Sequence, residues 1–196
     1  MKSTHNKFWA LTKGAGATVA MVTGTALLMA ACTSAPPLPR EYSQDRLDPQ
    51  VMVPPGNVVA LETTASGLLN YECRANAANA GTIGWTLASP QADLLDRTGK
   101  TVVAYSGPPA TWKHMDGSSV VGMQLAVAPR VGAGNLPLQL SKGTPGMTPG
   151  VLSNITYIQR INTKGGQDFG KACTQNDLGA KLTLPYQADY IFWKAA

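Results

Sequence analysis

The chain has 196 residues, with 16 Lys and Arg against 11 Asp and Glu, a formal net charge of +5 and three cysteines. It carries no Lys/Arg cluster and no basic stripe interleaved with aromatics, so nucleic acid is not an expected partner. It has no Gly-x-Gly-x-x-Gly after a strand, no alternating strand–helix pattern and too little length for a nucleotide domain plus a substrate domain, so no dinucleotide or other cofactor is expected.

The first segment has the three parts of a secretory signal. Lys2, Lys7 and Lys13 form a positive start without an acid, and Gly14 to Ala31 is uncharged and rich in Ala, Val, Thr and Leu. It ends in Leu27-Leu28-Met29-Ala30-Ala31-Cys32, which resembles the lipobox of a bacterial lipoprotein. That resemblance implies removal of residues 1–31 and fatty acylation, with palmitate-type chains, at Cys32. Read instead as a transmembrane anchor, Gly14–Ala31 is short and is interrupted by Gly16 and Gly24. Two or three acyl chains, at about 0.8 kcal/mol per buried methylene, hold a protein stably on a membrane. Thr33 stands where an Asp tends to retain such proteins in the inner membrane, which directs the expectation to the outer membrane. Loss of the three leader lysines leaves 13 Lys and Arg against 11 Asp and Glu, a nearly balanced mature chain.

Residues 32–57 hold six prolines, from Pro36 to Pro55, and read as a lipidated cysteine followed by an extended tether. Residues 58–196 read as one domain. With Cys32 lipidated, Cys73 and Cys173 remain. In an oxidising compartment they read as one structural disulfide, closing a loop of about 100 residues at a gain of roughly 4–5 kcal/mol in the chain-entropy picture. There is no Cys-x-x-Cys, and two cysteines with the single mature histidine, His114, are too few for a metal site.

Strand signals follow in order. Leu69, Tyr71 and Cys73 alternate with Asn70, Glu72 and Arg74. Thr82 to Ala88, around Trp85, and Thr101 to Tyr105 are two further candidates, with a helix-like turn over Pro90 to Asp96 between them. Val121, Met123, Leu125 and Val127 alternate with Val120, Gly122, Gln124 and Ala126; Leu136, Leu138 and Leu140 with Pro137 and Gln139. Ile155 to Ile161, Leu182 to Tyr186 and Tyr190 to Lys194 complete the set. Period-two alternation places one set on a core face and the other toward solvent. Turn residues at Arg97-Thr98-Gly99, Asp116-Gly117-Ser118, Gly143–Gly150 and Lys164-Gly165-Gly166 separate these runs. The expectation is an all-β, antiparallel sandwich or barrel of about eight strands, closed by one disulfide.

Four segments carry a family likeness: Pro90-Gln91-Ala92-Asp93-Leu94-Leu95-Asp96 with Gly99; Gly107-Pro108 with Trp112, Asp116-Gly117-Ser118 and Gly122; Tyr157-Ile158-Gln159-Arg160-Ile161-Asn162-Thr163 with Gly165-Gly166; and Pro185-Tyr186-Gln187-Ala188-Asp189-Tyr190. Together they resemble domain-of-unknown-function family 3455, exported proteins of bacteria and fungi, over nearly all of residues 53–193. A histidine common in that family's pattern, two residues before Gly-Pro, is here Tyr105. The resemblance implies no activity.

The candidate catalytic grouping is His114 as base, oriented by Asp116, with Asp93 and Asp96 upstream. Against it, Asp116-Gly117 reads as a hairpin turn in which Asp accepts backbone amides. Two acids three apart, as Asp93 and Asp96 are, are usually only solvated. Arg160 and Asn162 alternate with neighbours that place them on one outward face, where they suit a carboxylate or a sugar hydroxyl; alternatively Arg160 pairs with a carboxylate such as Asp189. Trp112 is a candidate carbohydrate platform or a core residue. These residues point to a cell-envelope lipoprotein, lipid-anchored to the membrane, whose domain is a non-enzymatic module for an envelope protein, glycan or small ligand. The alternative is a small envelope hydrolase of glycans or esters using His114 and the nearby carboxylates.

Overall fold

The computed structural model describes residues 42–75 and 81–196. Cys32 and the leader lie outside these residues. Eight strands run in chain order: β1 (Asn57–Ala75), β2 (Ile83–Leu95), β3 (Thr101–Ser106), β4 (Thr111–His114), β5 (Ser119–Ala128), β6 (Leu138–Pro145), β7 (Ile155–Gly165) and β8 (Lys181–Ala195). Each pairs antiparallel with the next, and β8 returns to β1, so the sheet closes into an up-and-down barrel. The barrel option of the sequence reading is therefore realised, with its eight strands.

An eight-stranded barrel is just wide enough to be filled by side chains. Here aromatics fill it: Tyr71, Tyr105, Trp112, Tyr186, Tyr190 and Phe192 are all buried in one cluster with Leu94, Val103, Val120 and Ile158. Tyr105 stacks on Trp112 with ring centroids 4.7 Å apart, and Trp112 meets Tyr190 at 5.6 Å. The ring of Trp112 needs Gly122 across the sheet, where a Cβ would come within 2.5 Å of it.

Pro90 to Asp96, expected as a helical turn, is strand up to Leu95. Ala92 and Leu94 point into the core while Asp93 faces out, a period of two and not of 3.6. Pro90 is tolerated because it lies beside a bulge and beyond the last β2–β3 pair, Gln91↔Ser106. The Leu182–Tyr186 and Tyr190–Lys194 runs are one strand.

The disulfide joins Cys73 at the end of β1 to Cys173 in the β7–β8 loop, with Cα atoms 5.6 Å apart. That loop is further tied by Asp177. Its carboxylate accepts from the Thr174 hydroxyl and amide and from Lys171 Nζ, and these bonds hold its pKa down at about 2.

The tether expectation is corrected for residues 42–57, which pack with the barrel. This strap turns through a short 3-10 helix, Pro49–Val51, whose first turn is capped by Asp48. Val51 and Val53 are buried against Ala128, Leu138, Leu140, Ile161, Ile191 and Trp193, with Tyr42 and Leu47 at the margin. The proline count concealed those apolar residues. Since Tyr190 and Phe192 belong to the interior cluster, Ile191 and Trp193 are on the opposite, outer face; the strap thus seals a second core outside the barrel wall.

Gln159 clasps strap to wall. It is fully buried, donates through Nε2 to the Val51 carbonyl (2.6 Å) and Gln44 Oε1 (3.1 Å), and accepts at Oε1 from Trp193 Nε1 (2.9 Å) and the Tyr42 hydroxyl (3.2 Å). Gln159→Ala leaves the buried Val51 carbonyl and Trp193 Nε1 without these partners and should lower stability by about 2–3 kcal/mol in denaturant unfolding. A loss below roughly 0.5 kcal/mol, the scale of ordinary surface changes, would contradict the clasp.

Candidate functional site

The β4–β5 turn holds the candidate catalytic residues. Gly117 takes φ +92°, a conformation open to glycine, and lets the chain reverse after His114. Asp116 Oδ1 accepts from the Ser118 amide (2.9 Å) and hydroxyl (2.6 Å). Its Oδ2 accepts from the Val151 amide (2.8 Å) in the β6–β7 loop, and the Leu152 amide donates to Ser118 Oγ (3.1 Å). These donors, the Ser118 hydroxyl first, hold the Asp116 carboxyl well below the usual carboxylate range. Asp116 therefore accepts an amide of its own turn, as the hairpin reading expected, and also ties that turn to the β6–β7 loop, a knot which that reading did not include.

His114 Nδ1 lies 3.0 Å from Asp116 Oδ1 and 3.2 Å from the Asp116 amide. The expected third member is missing from this group. Asp93 is paired with Ala104 and Ser66 on the exposed outer face, whereas His114 lies opposite Val103, a core residue. Asp96 is likewise committed, accepting from the Thr98 and Lys100 amides of its own turn. The structure brings His114 and Asp116 together and leaves both other acids apart. Among the described residues no group of three or more His, Cys, Asp or Glu is placed to hold a metal.

Trp112 is core, 3 % exposed, and presents no platform. Arg160 and Asn162 do not share an outward face. Arg160 is paired with Tyr190, an interior residue, and so faces inward; Asn162 sits in a register shift at φ +49°, exposed, donating to Asp189 Oδ2 (2.7 Å). Asp189 also accepts from the Thr64 hydroxyl, and no ion pair joins it to Arg160. The bulge between Ile161 and Lys164 is what separates the two candidates. Asn162 and Asp189 line an outer groove of about 710 Å³ beside Arg46 and Leu47 of the strap.

Sequence reasoning missed the polar interior around Arg160. Arg160 Nη2 donates to the Pro137 carbonyl (3.1 Å), while its Nε and the Trp112 Nε1 are buried without a hydrogen-bond partner. Burial raises the pKa values of Tyr71, Tyr105 and Tyr186, and the Arg160 charge partly opposes each rise. No local signal marked it, since Thr156, Arg160 and Asn162 are polar at that spacing and only Ile158 among them is apolar.

Fold and packing define a closed, aromatic-filled, eight-stranded barrel with an inward arginine and an outer strap. The chain belongs to the DUF3455 family of proteins of unknown function, whose model matches residues 54–194. The likeness read from the sequence is thus borne out. Two of the segments that carry the likeness, Tyr157–Thr163 and Pro185–Tyr190, lie side by side, Arg160 against Tyr190 and Ile161 against Asp189. No curated protein and no solved structure matches the chain.

The Asp116 knot has a pH signature. A carboxylate whose folded-state pKa is depressed stabilises fully above its ordinary value, 3.8, and that contribution is lost as pH falls toward the lower folded value. Asp116→Ala should lower Tm on the order of 5 °C at neutral pH, and the difference from wild type should shrink below pH 4. His114→Ala should leave the acid profile of wild type in place. A wild-type profile that matched that of Asp116→Ala at every pH would contradict the knot.

Proposed function

We propose that the chain is a lipid-anchored protein of the bacterial cell envelope whose barrel is a non-enzymatic binding module. The lipobox at Cys32 supports the anchor, and a Cys73–Cys173 bond fits an oxidising compartment. Thr33 after the cysteine favours the outer membrane. The mature chain leaves only residues 33–41 between the lipid and the strap, so the barrel is held close to the membrane.

The observation that carries the binding reading is that polar side chains on the inner barrel face reach solvent. β4 pairs with β5 only as far as Thr111↔Val121, and the last bond across is from the Gly122 amide to Ala110. Beyond it, among the described residues, no strand pairs with that edge of β5, and Gln124, which shares the inward face with Ser141 and Ile158, is exposed. The hydrolase reading has no comparable support, since Asp116 is occupied by loop amides and the other acids lie elsewhere.

The anchor is tested by growth of cells with a labelled fatty acid. Wild type should carry label and sediment with membranes; Cys32→Ala should lose the label and fractionate as soluble protein. Membrane retention unchanged in Cys32→Ala would overturn the lipoprotein assignment.

A further inference from the structure

Two rows of directly paired residues cross the inner wall beside the opening in β5. One runs Val127, Gln139, Arg160, Tyr190, Thr63; the other runs Gln124, Ser141, Ile158, Phe192, Leu61. Paired residues share a face, and Tyr190, Phe192 and Ile158 are interior, so Gln124, Gln139 and Arg160 also point inward. Gln139 Nε2 donates to Gln124 Oε1 (2.6 Å), which ties the two amides together at the opening. Gln124 is exposed, Gln139 and Arg160 are half-buried, and the tyrosines behind them are buried. Polarity thus descends from solvent to a cation.

Among the described residues that cation has no counter-charge. Neither row contains a carboxylate, and none of the ion pairs among the described residues involves Arg160. A half-buried guanidinium with one carbonyl partner and a buried Nε without any is a donor in want of an acceptor, and the interior cluster holds a second unpartnered buried donor, Trp112 Nε1, whose ring packs on Tyr190, the cross-strand partner of Arg160. An anion entering it supplies the missing acceptor. Neither row carries a second cation, so the charge that fits is a single one, and a planar guanidinium matches a carboxylate's two oxygens. The rest of the interior is filled by the aromatic cluster, which limits the ligand's size.

We infer that the barrel binds a small monocarboxylate through the opening along β5, with Arg160 meeting the carboxylate and Gln124 and Gln139 meeting the groups that follow it. This deepens the binding reading above and is independent of the lipid anchor.

The test is calorimetric titration of the full chain, purified in non-ionic detergent, with benzoate, acetate and inorganic phosphate at low ionic strength. Benzoate or acetate should bind saturably at one site, more tightly than phosphate. Arg160→Met should weaken that binding by about 10-fold or more, the scale of one charge-assisted hydrogen bond. If Arg160→Met does not fold, Gln139→Leu, which keeps the arginine, decides: several-fold weakening supports the site and unchanged affinity overturns it. Absence of carboxylate binding at about 10 mM ligand, binding of phosphate alone, or binding unaffected in Arg160→Met would each overturn it. Fatty-acid labelling at Cys32 is untouched by any of these outcomes, so failure of this site and failure of the envelope anchor are read separately.

Discussion

The pairing of β1 with β8 is the constraint on which the rest depends. Fifteen residue pairs, from Asn57↔Ala195 to Glu72↔Lys181, join the two ends of the domain and convert a meander into a barrel. Closure removes the two edges that β1 and β8 would otherwise present and sets the interior width. It also brings Thr63 under Tyr190, whose carbonyl accepts from the Thr63 hydroxyl, and so completes the ring of residues around the aromatic cluster. The Cys73–Cys173 bond lies just past the end of this ladder. Spanning 100 residues, it removes denatured-state entropy worth about 4–5 kcal/mol in the chain-entropy picture, where the ladder itself has ended.

A second consequence of closure is that β6, β7 and β8 are buried on both faces. Phe192 fills the barrel and Trp193 fills the outer core under the strap. This explains the unbroken run Tyr190-Ile191-Phe192-Trp193, which has no polar partner residue to alternate with. The same two-sidedness makes Gln159 a structural residue. A buried amide is stable only when both its ends are satisfied, and four groups from strap and wall satisfy it. Across the barrel, β5 is the opposite case. Val121 and Met123 face outward and exposed, and the strand outruns β4, so its middle is uncovered, while Ala126 and Ala128 further along it still lie under the strap.

Much of this was legible in the sequence because alternation reports facing directly. Leu69, Tyr71 and Cys73 on β1, and the runs that became β3, β5, β7 and β8, read correctly as strands, and the two distant cysteines read as one bond. What was hidden follows from interruptions of the period. A bulge after Gln124 inverts facing along β5, so Ala126 and Ala128 meet the outer core while Val127 turns inward opposite Gln139, and a bulge after Ile161 parts Arg160 from Asn162. The proline at position 90 mimicked a helix start although its neighbours kept a period of two. Proline density likewise masked the strap, whose Val51 and Val53 acquire meaning only against an outer face that no local pattern announces. Arg160 as an inward residue required knowledge of its cross-strand partner, Tyr190.

The central claim is a barrel sealed by β1 and β8 and open along one edge of β5. Residue-resolved amide hydrogen exchange tests it directly. The Gly122 amide bonds to Ala110, and amides two apart point the same way, so the Gln124 amide faces the opening. The account predicts that Tyr190 and Phe192 amides exchange only through global unfolding, while Gln124 exchanges orders of magnitude faster through no opening event at all. Protection of Gln124 equal to that of β8 would show a sealed wall and contradict the account.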